Sequence, residues 1–103
     1  MIKVAFFDTD PCFGFHVKGH SDSAIGDDII CAAVSSAAYM TANTITDVLN
    51  CSPDLKVSDG DMYLKLETEE AYKCSDILSG FYMHIVQLQE QYKKYISVTI
   101  SEV

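Results

Sequence analysis

The pattern of apolar and polar positions divides the 103-residue chain into segments with two different periods. Residues 2–8 and 13–17 are rich in β-branched and aromatic side chains, and the second segment alternates apolar and polar positions as a half-buried strand does. The Thr-Asp-Pro sequence at residues 9–11 has turn chemistry. We therefore expect a β-hairpin that ends at Gly19.

A long helix is predicted from Asp28 to about Asn50, with two stripes along its length. The apolar stripe comprises Ile30, Val34, Ala37, Ile45 and Val48, and the small-residue stripe comprises Cys31, Ser35, Ala38 and Ala42. Residues three and four apart share a face of a helix. Because the second stripe has only small side chains, we expect either the sheet or a substrate to lie close against it.

In the second half of the chain, strand-like alternation is again followed by helical spacing. The Asp59-Gly60 pair is typical of a hairpin turn between two strands, and residues 62–67 alternate. A second helix is predicted to begin at Thr68. The apolar stripe of this helix comprises Ala71, Cys74, Leu78, Phe81, Ile85, Leu88 and Tyr92. Residues 96–100 alternate as a last strand. This indicates one α+β domain over residues 1–103, in the order β-β-α-β-β-α-β, with two helices packed on one face of a mixed, mainly antiparallel sheet.

The far face of this sheet is expected to carry exposed aromatic side chains. Phe7 and Tyr63 fall on that face by their position in the alternation, and Phe6 is a further candidate. An exposed aromatic patch of this kind favours association. A homodimer is therefore expected.

The amino-acid composition indicates which class of partner and which cellular location to expect. Fifteen acidic against seven basic residues give a net charge of −8, which disfavours a nucleic acid as direct ligand and favours a basic protein partner. No apolar run approaches the ~20 residues that span a bilayer, and the N-terminus lacks the pattern of a signal peptide. The expected location is the cytoplasm, without a membrane partner.

The strongest chemical signal is a histidine and a cysteine joined by a short polar loop. His20 follows a predicted strand, and Cys31 falls in the expected first turn of the long helix. The partial positive charge of a helix N-terminus lowers a thiol pKa, and a neighbouring histidine can accept the thiol proton. A nucleophilic pair is one interpretation. A loop histidine and a buried, inert cysteine form the other.

Metal and cofactor chemistry receives little support. Cys12, His16 and His20 recur every four residues, but in a strand such positions lie ~13 Å apart. One zinc ion needs its ligands within ~2.3 Å, so we expect neither a metal site nor a cofactor. A redox-sensing thiol would need a second cysteine near Cys31, and the sequence leaves open whether Cys12 is close enough.

The residues around the pair resemble a known family. Gly19-His20, followed by Gly26-x-Asp28-Ile29-Ile30-Cys31-Ala32-Ala33-x-Ser35, is similar to the signature of the ribosomal-processing cysteine proteases, the Prp or YsxB-like family. Ser21 stands where the family commonly has alanine, and Ile30 where it has valine.

The resemblance implies a small homodimeric cysteine endopeptidase. Such enzymes remove the N-terminal extension of a bacterial large-subunit ribosomal protein, number twenty-seven. It implies that His20 is the catalytic histidine, that Cys31 is the nucleophile and that Ser35 lies near the site. Backbone around Gly26 could stabilise an oxyanion, and Asp28 is expected to cap the helix. The alternative is a non-catalytic ribosome-assembly adaptor that binds a basic protein tail without cutting it.

Overall fold

A mixed β-sheet forms one layer of the fold, and helices cover one of its faces. The computed structural model describes residues 1–19 and 27–102, without the side chains of Asp27 and Asp28. The strands are β1 (Ile2–Phe7), β2 (Gly14–Lys18), β3 (Asp54–Ser58), β4 (Asp61–Lys65) and β5 (Ile96–Ser101). The helices are α1 (Asp27–Asn43), α2 (Thr68–Lys73) and α3 (Ser75–Gln91).

The strands lie in the order β3-β4-β2-β1-β5. β1 and β2 pair antiparallel, with Val4 opposite Val17, so the predicted hairpin is confirmed. β2–β4 and β3–β4 are also antiparallel, whereas β1 and β5 run parallel, with Ile2 opposite Ile96. The predicted α+β class and the mixed, mainly antiparallel sheet are therefore correct.

The pleat of β1 separates its two aromatic residues. Phe6 is 1% exposed and faces the helices. Phe7 lies on the outer face, where its ring centroid is 5.5 Å from that of Tyr63. Consecutive residues of a strand point to opposite faces, so the prediction for Phe7 and Tyr63 is confirmed and the suggestion that Phe6 joins them is wrong.

An aromatic cluster joins α3 to the centre of the sheet. The Phe81 ring lies 4.7 Å from the ring of Phe15 and 5.6 Å from that of Phe6, centroid to centroid. Tyr82 packs edge-on against Phe6 at 5.0 Å. Tilted and edge-on arrangements of this kind are the favoured geometries of aromatic pairs. The cluster therefore fixes where α3 crosses the sheet.

The predicted stripe of the second helix is buried as expected. Its described members from Ala71 to Ile85 are at most 2% exposed. The helix is divided at Cys74, whose φ of −98° and ψ of 10° leave the helical region. Since the Leu78 N–H still donates to the Cys74 carbonyl at 3.0 Å, α2 and α3 follow each other almost without a break.

The long first helix ends differently from its prediction. It is α-helical only to Asn43 and continues as a π-helix over Thr44–Val48. Thr44 and Thr46 donate their hydroxyls to the carbonyls four residues before them, at 2.8 and 3.1 Å. Such back-bonding competes with the helical ladder and bends helices. Val48 was expected on the buried stripe and is 68% exposed.

The segment Ile29–Val48 is the apolar part of the long first helix. It has 20 residues and a mean hydropathy of 1.3, so it is long and apolar enough to cross a membrane by length and composition alone. A count of uninterrupted apolar residues does not detect it. Val34, Ala38 and Ile45 are buried in the core, which is the packing of a core helix, and core helices meet the same criterion.

Replacing Phe81 tests whether the aromatic cluster holds the layers together. Phe81→Ala removes the ring that contacts both Phe6 and Phe15, and we expect it to lower the free energy of unfolding by about 4 kcal/mol. Urea denaturation followed by circular dichroism measures this change. Tyr72→Ala, at a side chain 61% exposed, serves as the control and should change stability by less than about 0.5 kcal/mol. Equal effects of the two substitutions would contradict the assignment.

Candidate active site

Cys31 lies near the beginning of α1 and is half-buried. The helix begins at Asp27, so Cys31 is its fifth residue and opens the second turn instead of lying in the first. Helical side chains tilt toward the N-terminus, which carries the sulfur of such a residue back over the first turn. The N–H groups of that turn have no partner within the helix, so the start of α1 can stabilise a thiolate.

The small-residue stripe of α1 changes character along its length. Ala38 and Ala42 are 1% and 4% exposed and belong to the buried core. Ser35 is exposed, and Cys31 is intermediate. The core therefore covers the far end of the stripe, while the end that carries Cys31 and Ser35 is left accessible.

A small cavity lies beside this accessible end. It has a volume of about 70 Å³. The cavity is lined by Val17, Ser35, Ala38, Tyr39, Ser58, Gly60, Asp61 and Met62. These residues come from α1, the end of β2 and the β3–β4 turn, so three separate parts of the chain meet one helical turn from Cys31.

Gly19 fixes the end of β2 at the same place. Its N–H donates to the Gly60 carbonyl at 2.9 Å, and Gly60 is one of the cavity-lining residues. Its φ is +98°, and a Cβ would lie 2.5 Å from the carbonyl oxygen of Met1. Glycine is required here, because another residue would be strained and would collide with the backbone of Met1.

Several of the predicted site residues lie outside the described part of the chain. His20, Gly26 and the side chain of Asp28 belong to this group, together with residues 21–26 of the loop that was predicted over residues 21–27. Asp27, the last residue of that predicted loop, is the first residue of α1. The description stops at Gly19 beside the cavity and resumes at Asp27 in α1. Gly19, the last described residue before His20, lies at the end of the sheet where Ser35 and the β3–β4 turn meet.

The other three cysteines occupy different environments. Burial raises the pKa of the Cys12 thiol, and this thiol donates to the Gly14 carbonyl at 3.2 Å, at the opposite end of β2 from Gly19. Cys51 and Cys74 are buried in the core. The pKa of Cys74 is raised to about 12, mainly by burial and to a lesser extent by the hydrogen bond with Cys51. The settings of Cys12 and Cys74 therefore disfavour a thiolate near neutral pH.

Cys12 and the proposed nucleophile contribute to different regions of the surface. Cys12 lines an apolar cavity of about 360 Å³ with Phe6, Leu78 and Tyr82. The cavity beside Ser35 lies at the other end of β2. Cys12 is therefore poorly placed to act as the second thiol of a redox pair with Cys31.

The structure also contains a histidine–carboxylate contact that the sequence analysis did not find. His16 Nε2 lies 2.9 Å from Asp61 Oδ1 on the outer face of the sheet, and the His16 ring packs edge-on against Tyr63. Only the β2–β4 register, which places His16 opposite Tyr63, brings these residues together. Within residues 1–19 and 27–102, no cluster of three or more histidine, cysteine or carboxylate side chains is arranged to hold a metal ion.

Solved structures of other proteins share the fold of this chain. The chain is similar in structure to SMU.848 from Streptococcus mutans, at 25% identity and a TM-score of 0.86 over 100% of this chain and 96% of that one. It is also similar to the essential ribosomal processing protease Prp from S. aureus in complex with a covalently linked product peptide. That match has 23% identity and a TM-score of 0.85, over 98% and 100% of the two chains.

The same S. aureus protease in complex with a substrate peptide matches at 21% identity and a TM-score of 0.86, with the same coverage of 98% and 100%. These structures share the fold of this chain. No curated protein matches the sequence significantly. The family model described as cysteine protease Prp matches residues 1–97. The chain therefore belongs to the cysteine protease Prp family and is a cysteine protease.

Proposed function

We propose that Cys31 and His20 form the catalytic pair of an endopeptidase that removes the N-terminal extension of a bacterial large-subunit ribosomal protein, number twenty-seven. The observation that carries this proposal is the position of Cys31. It lies near the start of α1, at the accessible end of the small-residue stripe, one helical turn before Ser35, which lines the cavity at the end of β2. Cys12, Cys51 and Cys74 lack this combination of a helix start and an open surface.

The proposed reaction proceeds through an acyl-enzyme. His20 accepts the proton of the Cys31 thiol, and the thiolate attacks the scissile carbonyl carbon. Backbone N–H groups between Gly26 and Ile29 donate to the oxyanion. His20 then protonates the leaving amine, and a water molecule, activated by the same histidine, hydrolyses the thioester. Only side chains, backbone groups and water take part.

The surroundings of Cys31 suit an extended basic peptide. Ser35 lies one turn further along α1 and lines the small cavity, so a peptide on Cys31 would pass over it. The β3–β4 turn at the other side of this cavity carries Asp59, which is exposed, and Asp61. With the net charge of −8, these carboxylates would attract a basic N-terminal extension and speed its encounter with the enzyme.

The remaining roles follow from the same proposal. α1 begins at Asp27, so Asp28 falls in the first turn, where a carboxylate complements the helix dipole instead of capping the helix. Gly26 contributes a backbone N–H to the oxyanion hole, and residues 1–103 act as one catalytic domain in the cytoplasm. A homodimer would bury the outer face around Phe7 and Tyr63. Those rings are half-buried by one another, so a partner would complete their burial.

Cleavage assays on a precursor that carries the extension test the nucleophile. We expect Cys31→Ala to lower kcat/KM by about 10⁴-fold or more, because it removes the attacking atom, and His20→Ala to lower it by roughly 10³-fold, the size of a general-base contribution. Cys12→Ala is the matched control, since Cys12 is also half-buried, and it should cleave at the wild-type rate. Cleavage at the wild-type rate by Cys31→Ala would contradict the proposal.

Thiol labelling separates an activated nucleophile from an adaptor that binds without cutting. Iodoacetamide at pH 7 should alkylate Cys31 faster than the other three cysteines, because only thiolates react. The raised pKa values of Cys12 and Cys74 keep both thiols protonated at this pH. His20→Ala should slow the labelling of Cys31. Equally slow labelling of all four thiols, measured by peptide mass spectrometry, would favour the adaptor.

A further inference from the structure

Two thiols that the proposed cleavage does not use lie in contact inside the core. The Sγ atoms of Cys51 and Cys74 are 3.5 Å apart, although 23 positions separate the two residues in the chain. Cys74 is 0% exposed and Cys51 is 5% exposed. The contact joins the segment that follows the π-helix to the junction between α2 and α3.

Backbone hydrogen bonds hold both cysteines in place independently of their sulfur atoms. The Cys51 N–H donates to the Ile45 carbonyl at 2.9 Å, and the Cys74 N–H donates to the Glu70 carbonyl at 2.9 Å. The Ser52 N–H donates to Glu70 Oε2 at 3.0 Å. Glu70 therefore contacts both segments, so the two thiols face each other in a structure that is already fixed.

The two thiols differ in their neighbours and in their exposure to solvent. The contact with Cys51 raises the pKa of Cys74, after the larger effect of burial, as expected when the Cys74 S–H donates to the Cys51 sulfur. Cys51 Sγ lies 3.8 Å from the Leu49 carbonyl oxygen. Since Cys51 keeps some exposure and Cys74 has none, an external reagent reaches Cys51 first.

We propose that Cys51 and Cys74 are a reversible disulfide site that is oxidised by low-molecular-weight disulfides. Cys51 loses its proton to solvent and attacks one sulfur of the reagent, which forms a mixed disulfide and releases one thiolate that takes up a proton. Cys74 then gives up its proton and attacks Cys51 Sγ, which releases the second thiol. The protein loses two protons and two electrons, and the reagent disulfide takes them up and is reduced to two thiols.

The geometry permits this bond at little cost. A disulfide requires the sulfur atoms to approach from 3.5 Å to about 2.05 Å. Cys51 follows the π-helix, and Cys74 lies between α2 and α3. Neither residue therefore lies inside a regular helix. The bond would close a loop of 23 residues and restrict the unfolded chain. We therefore expect oxidation to raise Tm by roughly 10 °C.

The proposed disulfide lies far from the proposed nucleophile. Cys31 is near the N-terminal end of α1, and the helical path from Cys31 to Val48 rises about 25 Å at 1.5 Å per residue. The bond would stabilise the fold under oxidising conditions without consuming Cys31. This inference does not depend on the catalytic roles of His20 and Cys31.

Oxidised glutathione is the probe for the test. The folded protein is incubated with it, remaining thiols are alkylated under denaturing conditions, and the peptides are mapped by mass spectrometry with and without a reducing agent. We expect a peptide pair linked through Cys51 and Cys74, a Tm about 10 °C higher, and reversal of both by dithiothreitol. Cys12→Ser should leave both results unchanged, and Cys51→Ala should abolish both.

Three outcomes would overturn the proposal. These are recovery of Cys51 and Cys74 as alkylated thiols, a persistent mixed disulfide on Cys51, or a bond from either residue to Cys12 or Cys31. The peptide map of the wild-type protein decides among them even where Cys51→Ala does not fold. Cleavage activity is not part of the test, so a failure here leaves the proposed function untouched.

Discussion

Burial of the middle of α1 in the core is the constraint on which the site depends. Ala38 and Ala42 are 1% and 4% exposed, and Ala38 lines a small cavity together with Val17 and Met62, so larger side chains would displace the helix. Because the middle of the helix is held in this way, Ser35, one turn earlier, lines the same cavity and is exposed, and Cys31 lies a further turn toward the start of the helix. Cys31 is thereby carried to the edge of the core instead of its centre.

The aromatic cluster provides the rigid support for this arrangement. Phe81 packs on Phe6 and Phe15, and the buried residues of α1 and α3 belong to the same core. The parallel pairing of β1 with β5 ties the last strand to the first. A site built on rigid elements of this kind keeps its geometry.

Local patterns in the sequence predicted much of this fold, but they could not predict which distant segments contact each other. Alternation and helical spacing identified the strands and the buried stripe that includes Leu78, because these periods follow from backbone geometry. Phe7 was predicted on the correct face, but the suggestion that Phe6 shares that face was wrong, because adjacent strand residues point to opposite faces. The π-helix at Thr44 depends on side-chain hydrogen bonds that compete with the backbone, which periodicity cannot show.

The same distinction holds for the candidate site. A helix start near Cys31 and a strand end at Gly19 were visible in the residues, and the family resemblance assigned their roles. The contacts of His16 with Asp61 and of Cys51 with Cys74 were not visible, because each joins segments at least 23 positions apart. Only the strand register and the helix packing bring such residues together.

An acid-quenched reaction tests the catalytic pair most directly. Enzyme and precursor are mixed, stopped in acid within the first turnover and analysed by mass spectrometry of the intact protein and its peptides. The account predicts a transient thioester between the N-terminal extension and Cys31, and its absence from Cys31→Ala. Release of the extension with the Cys31 thiol unmodified throughout, or a thioester on another cysteine, would contradict it.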